Sequence, residues 1–428
     1  MRSELHLGDV TELNGLLNSG EVTIKEIIDS CYITIERSEK LVKAWEYITP
    51  RNLQSEAKIF GELDGLCLGV KDIIATKDSH TKMGTSSKIW TGTTGAFDSR
   101  VISKLRAAGA TIIGKNKTSE FAVHKTTDTV NPRNNFLQPG TSSSGSAAAV
   151  AAGHVSISIA TQTAGSIIRP SSYCGVIGFK PSYGQIPRTG ILKTTEVFDT
   201  VGIIGNSVAN IKSVYEVARV KDANHPLHHN KNNAIERPKF LYAIGPKFDV
   251  ATQKVRSSAL SKISSIFGAE LTNIEEVTDL DFTALRNIHE NIYSKELSYF
   301  LRSELDSGNV SDELKFFADF GRNLNPKLYE SSLSELVFQR KKSAAQLSNC
   351  VIFALSASDE APTIGELDKT DSNLIWTALG LPQITLPLME SLNNNSIGLS
   401  VLSSKGNDSF LLNLVGKVFQ NKISYSFN

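Results

Sequence analysis

Two serines and one lysine have the residue types and spacing that amide hydrolysis needs. Ser142 and Ser166 lie 24 positions apart in a stretch rich in Gly, Ser and Ala, and Lys71 lies 71 positions before Ser142. Amide hydrolysis requires a nucleophile, a base, and hydrogen-bond donors for the developing oxyanion. Ser166 follows a turn of small residues whose backbone N–H groups can converge. We therefore expect Ser166 to be the nucleophile.

Lys71 can act as the base only if its surroundings make its amine neutral. A free lysine has a pKa near 10.4, and burial can lower such a pKa by about 3–5 units. The apolar run at 66–70 predicts a buried strand that ends at Lys71. Because side chains alternate along a strand, Asp72 should point to the opposite side. A hydroxyl both accepts and donates, so Ser142 can relay a proton from Ser166 to Lys71.

Short apolar runs alternate with helix-like segments around these residues. The predicted strands are 66–70, 110–113, 155–160, 176–179, 201–204, 239–243, 350–355 and 383–388. Thr23 and Glu26 form a capping box that predicts the start of a helix. Residues 221–236 are polar and turn-prone, residues 282–350 read as a helical covering layer, and 408–419 as a closing helix. This alternation predicts an α/β sandwich around a central mixed, largely parallel sheet.

Composition excludes several other classes of protein. The chain has 428 residues and a formal net charge of +1, so no basic field is present to recruit nucleic acid. No run approaches the roughly 18 apolar residues of a membrane span, and the N-terminus has no apolar segment typical of a secretory signal. The four cysteines are far apart in sequence and form no metal-binding pair. We expect a cytoplasmic protein with no nucleic-acid or membrane partner.

Several motifs occur together in a fixed order. They are Gly69–Asp72, Arg106–Ala110, Glu120–Ala122, Pro139–Gly153, Thr163–Pro170, Cys174–Pro181 and Trp376–Pro382. With this order and spacing, the chain resembles the amidase signature family of serine amidohydrolases. The resemblance runs nearly end to end and is weakest over 221–350.

The resemblance implies a site and a fold. Ser166 would be the nucleophile, Ser142 the relay and Lys71 the base. The backbone N–H groups of the oxyanion hole would come from Thr163, Ala164, Gly165 and Ser166. In the family the relay serine follows a cis peptide bond, but this chain has Thr141 where many relatives have glycine, so the resemblance leaves open whether the bond between Thr141 and Ser142 is cis. The implied fold is an amidase-signature α/β/α sandwich of roughly eleven strands, without metal or organic cofactor.

The predicted domain organisation is a single domain over 1–428. Its core spans about 60–215 and 350–428, and a variable substrate-covering region spans about 221–350. Met83, Ser143 and His124 are candidate substrate contacts, although His124 also fits a structural role. Dimers are common in the family, which suggests a homodimer.

Three functional hypotheses follow from the resemblance. The first is a stand-alone hydrolase of a small amide or urea-like compound. The alternative is the glutaminase subunit of a tRNA-dependent amidotransferase. Such subunits usually read Asp-Thr-Gly-Gly-Ser up to the nucleophile, whereas this chain reads Gln-Thr-Ala-Gly-Ser at 162–166, which resembles free-standing amidases. The third, a catalytically inactive binding protein, is disfavoured by the complete Ser-Ser-Lys set.

Overall fold

A single mixed sheet organises the computed structural model, which describes residues 4–54, 60–85, 97–123, 125–222, 235, 237–268, 270–366 and 368–420. His124 and most of the predicted 221–236 loop lie outside the described residues. The strands are β1 (Trp45–Ile48), β2 (Cys67–Lys71), β3 (Thr111–Asn116), β4 (Ile157–Gln162), β5 (Ile177–Lys180), β6 (Thr200–Gly205), β7 (Lys239–Ala243), β8 (Thr272–Asn273), β9 (Cys350–Leu355), β10 (Gln383–Glu390) and β11 (Ser396–Ser403).

Fourteen α-helices flank the sheet within the described ranges. They are α1 (Val10–Ser19), α2 (Ile24–Val42), α3 (Arg100–Ala107), α4 (Ser144–Ala151), α5 (Ile168–Cys174), α6 (Val208–Ala218), α7 (Gln253–Phe267), α8 (Ile274–Val277), α9 (Phe282–Phe300), α10 (Arg302–Asp306), α11 (Asp312–Asn323), α12 (Pro326–Gln346), α13 (Asn373–Leu379) and α14 (Asp408–Val418). The predicted helical covering layer at 282–350 therefore corresponds to α9–α12. None of these helices is long and apolar enough to cross a membrane.

The strands follow the order β1-β3-β2-β4-β6-β5-β10-β11-β9-β7-β8. The predicted mixed sheet is confirmed, but its parallel share is smaller than predicted. Of the ten pairings among the described strands, four are parallel and six are antiparallel. The difference arises because β10 and β11 form a hairpin, and because no α-helix separates β5 from β6. Only a crossover connection returns a strand parallel to its neighbour.

Hydrophobic cores lie on both faces of the sheet. Successive residues of β9 alternate between them: Val351, Phe353 and Leu355 join one core, and Cys350, Ile352 and Ala354 join the other. The first core also receives side chains from α1–α7 and α14. The second receives side chains from α8, α9, α12 and α13. Burial on both faces confirms the predicted α/β/α sandwich.

Local sequence signals position the ends of two helices, and the capping box does so as predicted. The Thr23 hydroxyl accepts from the Glu26 N–H at 3.2 Å, and the Glu26 carboxylate accepts from the Thr23 N–H at 2.8 Å. This capping box begins α2 at Ile24. Gly20 ends α1 with a φ of 75°, a left-handed conformation that favours glycine.

The small residues of α4 allow a helix to run through the interior. Every residue of α4 is buried. A Cβ atom at Gly145 would lie 2.4 Å from the Ala44 carbonyl oxygen and 2.5 Å from the Lys117 nitrogen. Only glycine permits this close approach of three segments. The serine-rich segment that precedes α4 is thereby fixed at the end of a rigid, central helix.

Candidate active site

Lys71 and Ser142 meet in the interior, as their predicted roles require. Lys71 is the last residue of β2 and is fully buried. Its Nζ donates to Ser142 Oγ at 3.0 Å and to Thr161 Oγ1 at 3.2 Å. Ser142 lies just before α4, and Thr161 lies in β4, which pairs with β2 in parallel. The sheet and the central helix together bring these three polar groups to one point.

Burial brings the pKa of Lys71 close to neutral pH. Desolvation lowers its pKa from 10.5 to about 7, and the negative charge of Asp199 opposes that decrease. Asp72 points away, as the alternation along the strand predicts. Its carboxylate forms an ion pair with Lys115, with 3.2 Å between Oδ1 and Nζ. Asp72 therefore neutralises a different lysine and leaves Lys71 free to lose its proton.

The relay serine differs from the family pattern in its backbone. The Thr118 hydroxyl donates to the Ser142 carbonyl at 2.7 Å and holds this turn. The peptide bond between Thr141 and Ser142 is trans, because the described residues contain no cis peptide bond. The cis bond typical of the family is therefore absent at this position. A non-proline cis bond costs about 3–4 kcal/mol, and the branched Cβ of Thr141 adds crowding that glycine would avoid.

Ser166 lies in the short loop between β4 and α5 and is half-buried. The side chain of Gln162 shapes this loop. Its carbonyl oxygen accepts from the N–H groups of Ile167 at 2.9 Å and Ile168 at 3.1 Å, and its amide donates to Thr377 Oγ1 at 3.0 Å. All three contacts use the amide chemistry of glutamine, since a carboxylate could not donate to Thr377.

Three successive carbonyls of this loop are fixed by donors outside it. The Thr163 carbonyl accepts from His289 Nε2 at 2.8 Å, and the Ala164 carbonyl accepts from Thr377 Oγ1 at 2.7 Å. The Gly165 carbonyl accepts from the first turn of α5 at 2.9 Å. In a trans peptide the N–H points opposite to the C=O. The N–H groups of Ala164, Gly165 and Ser166 therefore point away from the donors that hold these three carbonyls.

These three N–H groups donate to no other atom of the described residues. Backbone donors without partners are what an oxyanion hole requires. Within the described part of the chain, three of the four oxyanion donors predicted from the sequence, all but Thr163, are thus unpaired, and the role of all four stays a prediction.

The predicted substrate contacts have different surroundings. Ser143 is fully buried, and its hydroxyl faces the Thr161 carbonyl at 3.5 Å. Met83 adopts a left-handed conformation with a φ of 59°, donates its N–H to the Asp72 carbonyl, and accepts from the Phe121 N–H. Both remain candidates for substrate contact. His124 lies outside the described residues.

Two open spaces are lined by residues that contact Lys71 or Ser142, although neither is lined by Lys71, Ser142 or Ser166. A cavity of about 30 Å³ is lined by Thr161 and Thr163 on the sheet side and by Thr194 and Asp199. A wider cleft of about 840 Å³ is lined by Thr118 beside the relay turn, and by residues of the 84–85, 125–128 and 308–311 segments. Across the described ranges, no three His, Cys, Asp or Glu side chains are grouped to hold a metal ion.

Three polar residues of the site are absent from the sequence predictions: Thr161, His289 and Thr377. Thr161 lies in β4, the strand that leads into the predicted oxyanion turn. The alternation of side chains along this strand could have indicated that Thr161 and Gln162 point to opposite sides. His289 and Thr377 lie more than 100 positions from the loop that they hold. No spacing pattern in a single sequence indicates such contacts.

Fold and site together define an α/β/α protein with a buried lysine and serine beside a loop of unpaired backbone donors. The sequence model of the amidase family matches residues 26–241, which is half of the chain. The chain therefore belongs to the amidase family, whose members are hydrolases that act on carbon–nitrogen bonds.

Known relatives and structures agree with this family. One relative, a glutamyl-tRNA(Gln) amidotransferase subunit of Chloroflexus aggregans, is 35% identical over 231 residues, covering 50% of this chain and 47% of the relative. The chain thus spans about half the length of the curated relatives it matches. The peptide amidase of Stenotrophomonas maltophilia has a TM-score of 0.81 at 20% identity, covering 98% of both chains.

A vestigial protein complex linked to the origins of an s-triazine catabolic enzyme contains a chain with a TM-score of 0.85. The identity is 22%, with 98% of this chain and 100% of that chain covered. At these identities, the solved structures establish the shared fold alone.

Proposed function

We propose that this protein hydrolyses the C–N bond of a small amide through an acyl-enzyme on Ser166. The observation that carries the proposal is the buried Lys71, whose pKa burial lowers to about 7 and whose Nζ lies 3.0 Å from Ser142 Oγ. A neutral amine has two N–H groups and one lone pair. When Lys71 is protonated, its Nζ donates to both Ser142 and Thr161; when it is neutral, Thr161 Oγ1 can keep one N–H while the lone pair turns toward Ser142. This buried contact between an amine and a hydroxyl supports proton transfer better than a purely structural role.

The proposed reaction begins with a paired proton transfer. The Ser166 hydroxyl passes its proton to Ser142 while Ser142 passes its own to Lys71, and Ser166 Oγ bonds to the amide carbon. The oxyanion accepts from the N–H groups of Ala164, Gly165 and Ser166. The proton then returns through Ser142 to the leaving nitrogen as the C–N bond breaks. Water then attacks the ester and passes a proton through Ser142 to Lys71, and this proton returns through Ser142 to Ser166 Oγ as the C–O bond breaks and the acid leaves.

The type of amidase is the finer part of the proposal. The curated relatives are named as subunits of glutamyl-tRNA(Gln) amidotransferase, and they support the glutaminase alternative better than the stand-alone hydrolase. We therefore favour ammonia release from a primary amide, with glutamine as the first substrate to test and other chains as partners. The Gln-Thr-Ala-Gly-Ser sequence at 162–166, which ends at the nucleophile, keeps the stand-alone hydrolase as the second candidate.

The location and assembly predicted from the sequence remain proposals. The four cysteines are free and buried, which supports a reducing, cytoplasmic location. The predicted homodimer has no further support from the described contacts, and partner subunits of a different sequence would replace it in the glutaminase assembly.

A fluorophosphonate probe tests the chemistry without knowledge of the substrate. Ser166 Oγ would bond to phosphorus, fluoride would leave, and the serine proton would pass to Lys71. We expect one adduct by intact mass on the wild type, none on Ser166→Ala, and a reaction at least tenfold slower on Lys71→Ala. Ser172→Ala, at a buried serine of α5, is the matched control and should keep the adduct. Labelling of Ser166→Ala at the wild-type rate would refute the assignment.

A second measurement separates the two types of amidase. Ammonia release from glutamine and from a panel of small amides is followed for the purified chain, alone and after co-purification from its own host. A glutaminase subunit should bring partner chains with it and hydrolyse glutamine much faster in their presence. Rapid hydrolysis of another amide by the isolated chain would instead establish the stand-alone enzyme.

A further inference from the structure

We propose that His289 is a positioning residue for the oxyanion hole. Its ring N–H holds the Thr163 carbonyl, and so turns the N–H of Ala164 toward the reacting carbonyl. The inference deepens the proposed function and rests on it. It also assigns a catalytic consequence to α9, which belongs to the region predicted to vary with substrate.

The hydrogen bond defines the chemical state of the imidazole. His289 Nε2 lies 2.8 Å from the Thr163 carbonyl oxygen. A carbonyl can only accept, so Nε2 carries the hydrogen and Nδ1 carries the lone pair in the neutral ring. Burial lowers the pKa of His289 to about 4, so the ring is neutral under ordinary conditions. The donor is therefore always present and brings no charge into the site.

Two aromatic rings hold the imidazole in one orientation. Phe198 stacks on it with 4.5 Å between ring centroids and an interplanar angle of 17°. Tyr293 stacks at 5.9 Å and 18°. Rings packed in this way restrict rotation of the imidazole about χ2. The position of the Nε2 hydrogen is thus set by packing before any substrate binds.

The same loop residue is held at a second point. The Thr163 hydroxyl donates to Asp199 Oδ1 at 2.7 Å, and Asp199 directly follows Phe198 in sequence. The side chain and the carbonyl of Thr163 are therefore bound by two adjacent elements, the 194–199 turn and α9. With both contacts in place, the peptide between Thr163 and Ala164 has one allowed direction.

Loss of the imidazole donor should misdirect the Ala164 N–H. A carbonyl without its donor can rotate toward the site, and its N–H then rotates away because the two are opposed in a trans peptide. Removal of a whole oxyanion donor costs about 10²–10³-fold in kcat. Misdirection of one of three donors should cost about 10–100-fold, with little change in KM, because the contact strengthens only in the transition state.

Two variants test this role. His289→Phe keeps a flat ring between Phe198 and Tyr293 and removes the donor. His289→Gln keeps an N–H donor in a flexible side chain. We expect His289→Phe to lower kcat and the fluorophosphonate labelling rate by the same factor of about 10–100, and His289→Gln to restore part of both.

A buried histidine elsewhere provides the matched control. His154 bonds to Ser38 and to Trp45. It follows the C-terminal end of α4, whereas Ser142 precedes the N-terminal end. His154→Phe should lower the midpoint of thermal unfolding and leave kcat within about twofold per folded molecule, since no oxyanion donor is moved. A role of His289 in stability alone would give the same pattern in His289→Phe.

The outcomes separate the inference from the proposed function. An unreactive wild type would overturn both. A reactive wild type with His289→Phe labelled and turning over at the same rate would overturn the role of His289 and leave the Ser166 mechanism intact. Equal losses in His289→Phe and His289→Gln that match the fraction of unfolded protein would also overturn it.

Discussion

Replacement of Lys71 by methionine should abolish turnover and raise the stability of the protein at neutral pH. Methionine fills a similar volume and binds no proton. Folding lowers the pKa of Lys71 from 10.5 to about 7. At 1.36 kcal/mol per unit, this costs the wild type about 5 kcal/mol near neutral pH. The two lost hydrogen bonds offset about 2 kcal/mol, so the variant should be more stable by about 3 kcal/mol.

The sign of the pH dependence follows from the protons bound in each state. Between about pH 7 and about pH 9, the unfolded chain holds the lysine proton while the folded protein has released it. The free energy of unfolding of the wild type therefore rises with pH over this window, by about 2 kcal/mol relative to Lys71→Met. Lys180 is also buried with a lowered pKa, but it is present in both proteins and cancels in the difference.

Urea unfolding of both proteins at the two ends of this pH window gives the measurement. Lys262→Met, at an exposed position of α7, is the matched control and should follow the wild type at each pH. A stability difference between Lys71→Met and the wild type that is the same at both ends would refute the reasoning. It would mean that Lys71 keeps its proton in the folded protein and cannot be the base.

Two other substitutions test the electrostatics of the site. Asp199→Asn removes the negative charge that opposes the lowered pKa of Lys71. The rise of kcat/KM with pH should therefore move to lower pH from its midpoint of about 7 in the wild type. A pH–rate profile measures this, and a midpoint moved to higher pH would contradict it. Asp72→Asn leaves the buried Lys115 without its carboxylate and should lower the free energy of unfolding by about 3–5 kcal/mol. Urea unfolding of that variant and of a double variant with Lys115→Met, which should recover most of the loss, checks the assignment.

Much of the fold was predictable because strong local signals control it. The apolar runs place both ends of β2 to β6 to within three residues, and the capping box places the start of α2. β11 is absent from the predicted strands although its apolar residues alternate. The direction of pairing was less predictable, because it depends on how the chain returns after each strand. The connection from β5 to β6 contains no helix, and its sequence does not display that path.

The candidate site also contains residues that the sequence indicates and residues that it does not. Lys71, Ser142 and Ser166 lie in or beside short motifs, so their types and spacing indicate them. The donors that aim the oxyanion loop come from α9 and α13, and their positions depend on tertiary packing. The conformation of the peptide bond before Ser142 was not predictable from the resemblance, because Thr141 departs from the family pattern at this position.

The second hydrophobic core has a consequence for how activity could be regulated. Apart from Val197 and Phe198, its side chains all come from residue 241 onward, whereas Lys71 and Ser142 lie among elements of the first core. Proteins open locally in cooperative units. An opening of the layer that contains α9 would release the Thr163 carbonyl and leave the Lys71–Ser142 contact intact. The protein would then keep the proposed base and relay but lack aligned donors for the oxyanion. A substrate or partner that holds α9 in place would therefore activate the site.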